Sequence, residues 1–85
     1  MKIIAKIVEI RGTGKCSYGH RVGEEFVIDE VGTNMCLWAF HTLFPFVTAL
    51  KYGGDLPWEE NKGKALVSCP DPHNTVIFEL RRVED

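Results

Sequence analysis

The sequence predicts an α+β fold, a small antiparallel β-sheet carrying one helix on one face, with the elements in the order ββαββ. Three observations lead there. Residues 35–58, MCLWAFHTLFPFVTALKYGGDLPW, set Leu37, Phe40, Phe44 and Val47 at helical spacing, with Leu43 and Leu50 beside them. Four shorter stretches alternate apolar and polar residues or run in β-branched side chains, and segments rich in glycine, proline and aspartate separate them. With 85 residues and no repeat, low-complexity tract or linker, the chain reads as a single domain over 1–85.

Taken in order, residues 2–11 put Ile3, Ala5 and Ile7 on one face and Ile4, Val8 and Ile10 on the other. Apolar bulk on both sides predicts an interior strand. The next segment, GTGKCSYGHRVG, has four glycines in twelve residues and no hydrophobic period, so it is a long connection of the kind that often carries function. Alternation resumes over 24–29, with Phe26 and Ile28 inward, as a second strand.

VGTN then leads into the helix, and Thr33 or Asn34 is the expected N-cap, which would leave Cys36 in the first turn. Pro45 removes one helical hydrogen bond and crowds Phe44, so the helix either kinks there or divides into two. Gly53 and Gly54 supply the stop. Trp58, in the polar stretch DLPWEENKGK, is expected to fold back on the core. Residues 65–69 form the third strand, CPDPHN a turn in which Asp71 bonds the backbone that follows it, and residues 75–83 the fourth strand, with Val76, Phe78 and Leu80 inward.

Composition narrows the functional classes. The formal net charge is −2, but residues 1–21 carry Lys2, Lys6, Arg11, Lys15 and Arg21 against Glu9 alone, so that segment is +4 and the remainder −6. A basic arm can bind phosphates, yet the overall balance favours a solvated strand face and argues against a nucleic-acid partner. The N-terminal run is interrupted by Lys6 and Glu9 and fails as a signal peptide, and no stretch approaches the roughly 18 apolar residues needed to span a bilayer. A cytoplasmic location, with no membrane association, is the expectation.

A chain this short buries only roughly 60–65% of its unfolded surface, so a staple, ligand or partner is expected. Cys16, Cys36 and Cys69 are odd in number, which argues against a closed disulfide framework, and each precedes a histidine: His20, His41 and His73. Thiolate and imidazole are the ligands of zinc and iron sites. An i, i+5 pair such as Cys36 and His41 lies about 140° apart on a helix and cannot share a ligand face unless Cys36 precedes the helix. The expected set is therefore Cys16, Cys36 and Cys69, with His20, His73 or water fourth, in a structural or sensing role. Against this stands the plain alternative that Cys69 and Cys36 are small buried hydrophobes.

Two other readings compete. A thiol-redox protein would centre on Cys36, where the free N–H groups of a helix start favour a thiolate, although no resolving cysteine lies within a few residues. A non-catalytic interaction module would use exposed aromatics to form a homodimer or to dock on a larger protein. His41, among aromatics, is expected in the core, and His73 in solvent. The glycines match neither GxGxxG nor GxxxxGK[ST], and no Ser-His-Asp or HExxH pattern is present, so phosphate binding and hydrolysis have no support and catalysis is disfavoured.

The chain also resembles, over nearly its whole length, a family of small, functionally uncharacterised bacterial and archaeal proteins. The resemblance rests on Cys16 with Gly19 and the following VGEEF, on Cys36 and Ala39 opening an aromatic-rich helix that ends in glycine, and on Cys69 with Asp71 leading into VIFEL. It implies a site made by Cys16, Cys36 and Cys69 together, with His20, His41 and His73 as optional additions. It brings no activity, substrate or cofactor. Trp38 departs from the pattern, standing one place before Ala39 where other members carry tryptophan just after it.

Overall fold

The computed structural model describes residues 2–29 and 32–83, so Val31 of the helix lead-in lies outside it. Its elements are β1 (Lys2–Ile10), β2 (Glu25–Ile28), α1 (Leu37–Lys51), β3 (Lys64–Ser68) and β4 (Val76–Val83), which is the predicted ββαββ order. The strands form one antiparallel sheet in the spatial order β2-β1-β4-β3, and α1 lies across one face. β1 is interior, as its two-sided apolarity predicts. Among the described residues no helix is long and apolar enough to cross a membrane.

Register explains the core. Ala5 stands between Phe26 and Leu80, and Leu80 in turn faces Ala65, so small and large side chains alternate across the sheet beneath the helix. The next row sets Ile7 against Phe78 and Phe78 against Val67. All seven side chains are buried. A register shift between Ile7 and Glu9 inserts Val8 as an extra residue. Strict alternation would send Ile10 to the open face; the bulge instead pairs it with buried Val76 and packs it partly against the core.

The inward face of the helix is rotated from the one its period suggests: Leu43, Val47 and Leu50 are buried as expected and Ala39 joins them, whereas Leu37 and Phe44 are turned out. Ala39, Leu43, Val47 and Leu50 are buried, a stripe about 80° wide. Leu37 is 82% exposed and Phe44 54%, about 100–120° round the helix from the middle of that stripe. Apolar residues surround this helix, and the small residue Ala39 marks the side on which the sheet approaches. Pro45 lies inside α1 without ending it, because it is on the exposed side where the unpaired His41 carbonyl can meet water. His41 is exposed too, contrary to its expected core position. Trp58 is 65% exposed and touches Phe46 edge-on, 6.5 Å between ring centroids, so it does not anchor the loop in the core.

Arg82 closes the far end of the helix. Its Nη1 donates to the Leu50 carbonyl at 2.9 Å and the Gly54 carbonyl at 2.8 Å, and its Nη2 lies 3.3 Å from Asp55 Oδ1. Asp55 Oδ1 also accepts the Gly63 N–H at 2.7 Å, so one cation ties β4, the helix C-terminus and the loop before β3. Gly54 is confined to glycine, since a Cβ there would stand 2.9 Å from the Ala49 carbonyl oxygen. Replacing Arg82 by Ala removes its bonds to two helix-end carbonyls, of which Leu50 keeps the Gly53 N–H, together with the ion pair to Asp55; it is expected to cost about 1–2 kcal/mol, read as a lower urea midpoint with unchanged slope. A loss below about 0.5 kcal/mol, the range of ordinary surface substitutions, would contradict this account of the helix end.

Candidate functional site

The three cysteines come from three elements and line one cavity of about 310 Å³, beside the start of α1. Cys16 is in the β1–β2 loop, Cys36 is the residue before α1, and Cys69 follows β3 directly. All three are free thiols of intermediate burial, packed partly against the hydrophobic core. Trp38, Ala39, Val76 and Phe78 supply apolar wall, and Ser17, Tyr18, His20 and Asp71 are the polar side chains on it besides the thiols. His41 and His73 do not line the cavity, so of the three histidines only His20 joins the thiols.

Backbone contacts hold the Cys16 loop in place. The Arg11 N–H donates to the Thr75 carbonyl at 2.8 Å, the Thr13 hydroxyl bonds the Asn74 side-chain oxygen, and the Ser17 hydroxyl donates to Asp71 Oδ2 at 3.3 Å. Gly12 makes the approach possible: at φ +78° it lies directly against the His73 carbonyl, in the space a Cβ would need. The β1–β2 loop therefore lies on the β3–β4 turn, and Cys16 and Cys69 are carried by the two sides of that contact.

The turn is organised by Asp71, as its sequence context predicts. Oδ1 accepts the backbone N–H groups of His73 at 2.9 Å and Asn74 at 3.2 Å. These bonds favour the charged form: the His73 N–H chiefly, then Asn74 and Ser17, outweigh the opposing effect of desolvation and hold the Asp71 carboxyl below its usual range. Within the turn, Cys69 donates its N–H to the Val76 carbonyl at 2.9 Å, and the Val76 N–H points back at Cys69 Sγ, 3.3 Å away. That sulfur is fixed in direction and receives a donor.

Cys36 differs from the expected first-turn residue. It is itself the N-cap of α1, its carbonyl accepting the Phe40 N–H at 2.9 Å, and its side chain makes no capping bond. The cap falls at Cys36 rather than at Thr33 or Asn34 because its own N–H is already satisfied from outside the helix. His20 Nε2 accepts it at 3.1 Å.

His20 is the one buried polar side chain among the described residues, 8% exposed. Its Nδ1 lies 3.3 Å from Glu24 Oε1, and its ring sits between Tyr18 and Phe26 at 4.8 and 4.9 Å. These partners fix a tautomer protonated on Nδ1, with Nε2 as acceptor. Sequence spacing offers His20 as a fourth ligand; the fold occupies both ring nitrogens, Nε2 with the Cys36 backbone N–H and Nδ1 with Glu24. The signal for this was Glu24 four residues on, a carboxylate able to orient an imidazole, which the paired Cys–His pattern obscured.

The thiols share a cavity without forming a finished cluster. Among the described residues, no three of the Cys, His, Asp and Glu side chains stand close enough to hold an ion between them. Coordination of one ion would need the sulfurs drawn to about 2.3 Å from it. No protein-family model, curated protein or solved structure matches the chain.

Asp71 makes the turn sensitive to acid. A carboxyl with a lowered folded pKa stabilises the fold above its unfolded pKa, and that stabilisation disappears as pH falls through the folded value. The Asp71 carboxyl resonance should titrate with a midpoint below that of an unfolded aspartate, and Ser17→Ala should raise the midpoint only slightly, because the His73 N–H is the larger cause. A midpoint at or above the unfolded value would contradict the turn described here.

Proposed function

We propose that the protein binds a soft transition-metal ion, zinc or iron, through the thiolates of Cys16, Cys36 and Cys69, in a structural or sensing role. One observation carries the reading: three thiols 20 or more residues apart in sequence line the same cavity. Thiolate sulfur is the donor such ions favour, and an ion joining loop, helix start and turn adds its binding free energy to that of a small fold. His20 takes a supporting part in this reading, orienting Cys36 through its backbone, and is withdrawn from the ligand set. Uptake closes the three sulfurs on the ion, with the loop that carries Cys16 moving most, because Cys16 lies in the middle of the β1–β2 loop whereas Cys36 and Cys69 directly adjoin α1 and β3.

Free thiols suit a reducing compartment, which supports a cytoplasmic location. The exposed outer face of α1, with Leu37, Trp38 and Phe44, and Tyr52 just past its end, supports a protein partner, either a second copy or a larger protein.

Protein purified without chelator should carry close to one equivalent of zinc or iron, and the metal should be lost in the Cys16→Ser, Cys36→Ser and Cys69→Ser variants. Metal-free protein that also takes up none on reconstitution would reject the proposal. A second reading, thiol-redox chemistry at Cys36, is favoured by the place of that thiol at the helix N-terminus without a capping bond. It requires Cys36 to alkylate faster than Cys16 and Cys69 in metal-free protein, and equal or slower modification rejects it.

A further inference from the structure

We infer that the outer face of α1 pairs with the same face of a second copy of this chain, the two helices antiparallel about a twofold axis and the Phe44 ring of each seated in a groove on the other. This rests on the reading of that face as a partner surface, independently of the metal, and it names the partner. The motive is a run without charge. From Leu37 to Leu50 the chain has no Asp, Glu, Lys or Arg, although charged residues make up 26% of the whole. A helix whose outer side meets water normally carries its charges there. Here that side shows Leu37, 82% exposed, and Trp38 and Phe44, each 54%.

The face supplies both halves of a contact. Leu37, Phe40, His41 and Phe44 stand at i, i+3, i+4 and i+7, the four positions that make one hole in knobs-into-holes packing, and with Pro45 they border a groove. Phe44, exposed at one edge of that hole, is also a knob. A twofold axis at the level of residue 42 sets the Phe44 of each copy over the hole of the other, so a single contact is made twice, as an isologous interface requires. Each copy carries a formal charge of only −2, which opposes the pairing weakly, and the face lacks the charges by which a different protein would be steered and selected. Area sets the strength. At their exposures Leu37, Trp38, Phe44 and Tyr52 offer roughly 500 Å² per copy, taking about 150–250 Å² for a whole large side chain. A pair then buries about 1,000 Å², the lower bound for a specific interface, and the expected dissociation constant is about 10–100 μM.

Sedimentation equilibrium of the full chain gives the test, with chelator and reductant present so that neither metal nor disulfides join copies. The average mass should rise from the 9.6 kDa of one chain toward twice that as concentration passes from about 5 μM to about 1 mM. In a dimer mixed from isotope-labelled and unlabelled chains, filtered NMR spectra should connect the Leu37 methyl groups with the Phe44 ring, two positions about 10 Å apart along one helix. Leu37→Glu and Phe44→Glu should each weaken the dimer about tenfold or more. Glutamate at the first helical position suits the dipole, so loss of pairing in Leu37→Glu cannot come from loss of the helix. Leu66→Glu, at an exposed site on β3, should leave the dimer intact. A wild-type chain that keeps the single-chain mass throughout would overturn the second copy and leave the face open to a larger protein. A dimer without the cross-copy signals would overturn the seating of Phe44. One that survives both helix substitutions but is lost in Leu66→Glu would place self-association at the sheet, overturning this inference and removing the support for a partner surface on α1.

Discussion

The seating of the β1–β2 loop on the β3–β4 turn is the contact on which the site depends. It brings residues 12–17 against residues 71–75 by a backbone bond from Arg11, paired side chains at Thr13 and Asn74, and the bond from Ser17 to Asp71. Gly12 permits the approach because a methyl group cannot enter the space beside the His73 carbonyl. The bulge at Val8 belongs to the same arrangement, since it sets the register in which Ile10 meets Val76 and so fixes where β1 ends and the loop begins.

The third thiol arrives by a separate route. Ala39, Leu43, Val47 and Leu50 seat the helix on the sheet, and Arg82 fixes its far end. The near end is held by His20, which reaches from the loop to the Cys36 N–H while Glu24 steadies its other nitrogen. A helix start ordinarily presents unpaired N–H groups to solvent or to a cap. Here one donor just before it is bonded by a buried imidazole, and the Cys36 side chain is left free of capping duty to face the cavity. The histidine thus contributes through the position it imposes.

The sheet was legible because strand signals are local: alternation over residues 24–29, 65–69 and 75–83, and apolarity on both sides of residues 2–11, identify four strands and an interior one. The meeting of the cysteines was foreseen only as a possibility of folding, because no spacing between residues 16, 36 and 69 encodes it. The helix face was misread where apolar residues are too plentiful: 37, 40, 44 and 47 fit a helical period as well as 39, 43, 47 and 50 do. Steric fit against the sheet decides between them, through Ala39, whose small side chain carries almost no hydrophobic signal. His20 and Cys36 were misread for a related reason, since a hydrogen bond between residues 16 apart leaves no periodic trace.

The central claim is that three remote thiols act as one ligand set once the chain has folded. X-ray absorption at the metal edge of zinc-loaded protein measures this most directly. The account predicts three sulfur neighbours at about 2.3 Å and one lighter donor. A shell of nitrogen and oxygen alone, or a single sulfur, would contradict it.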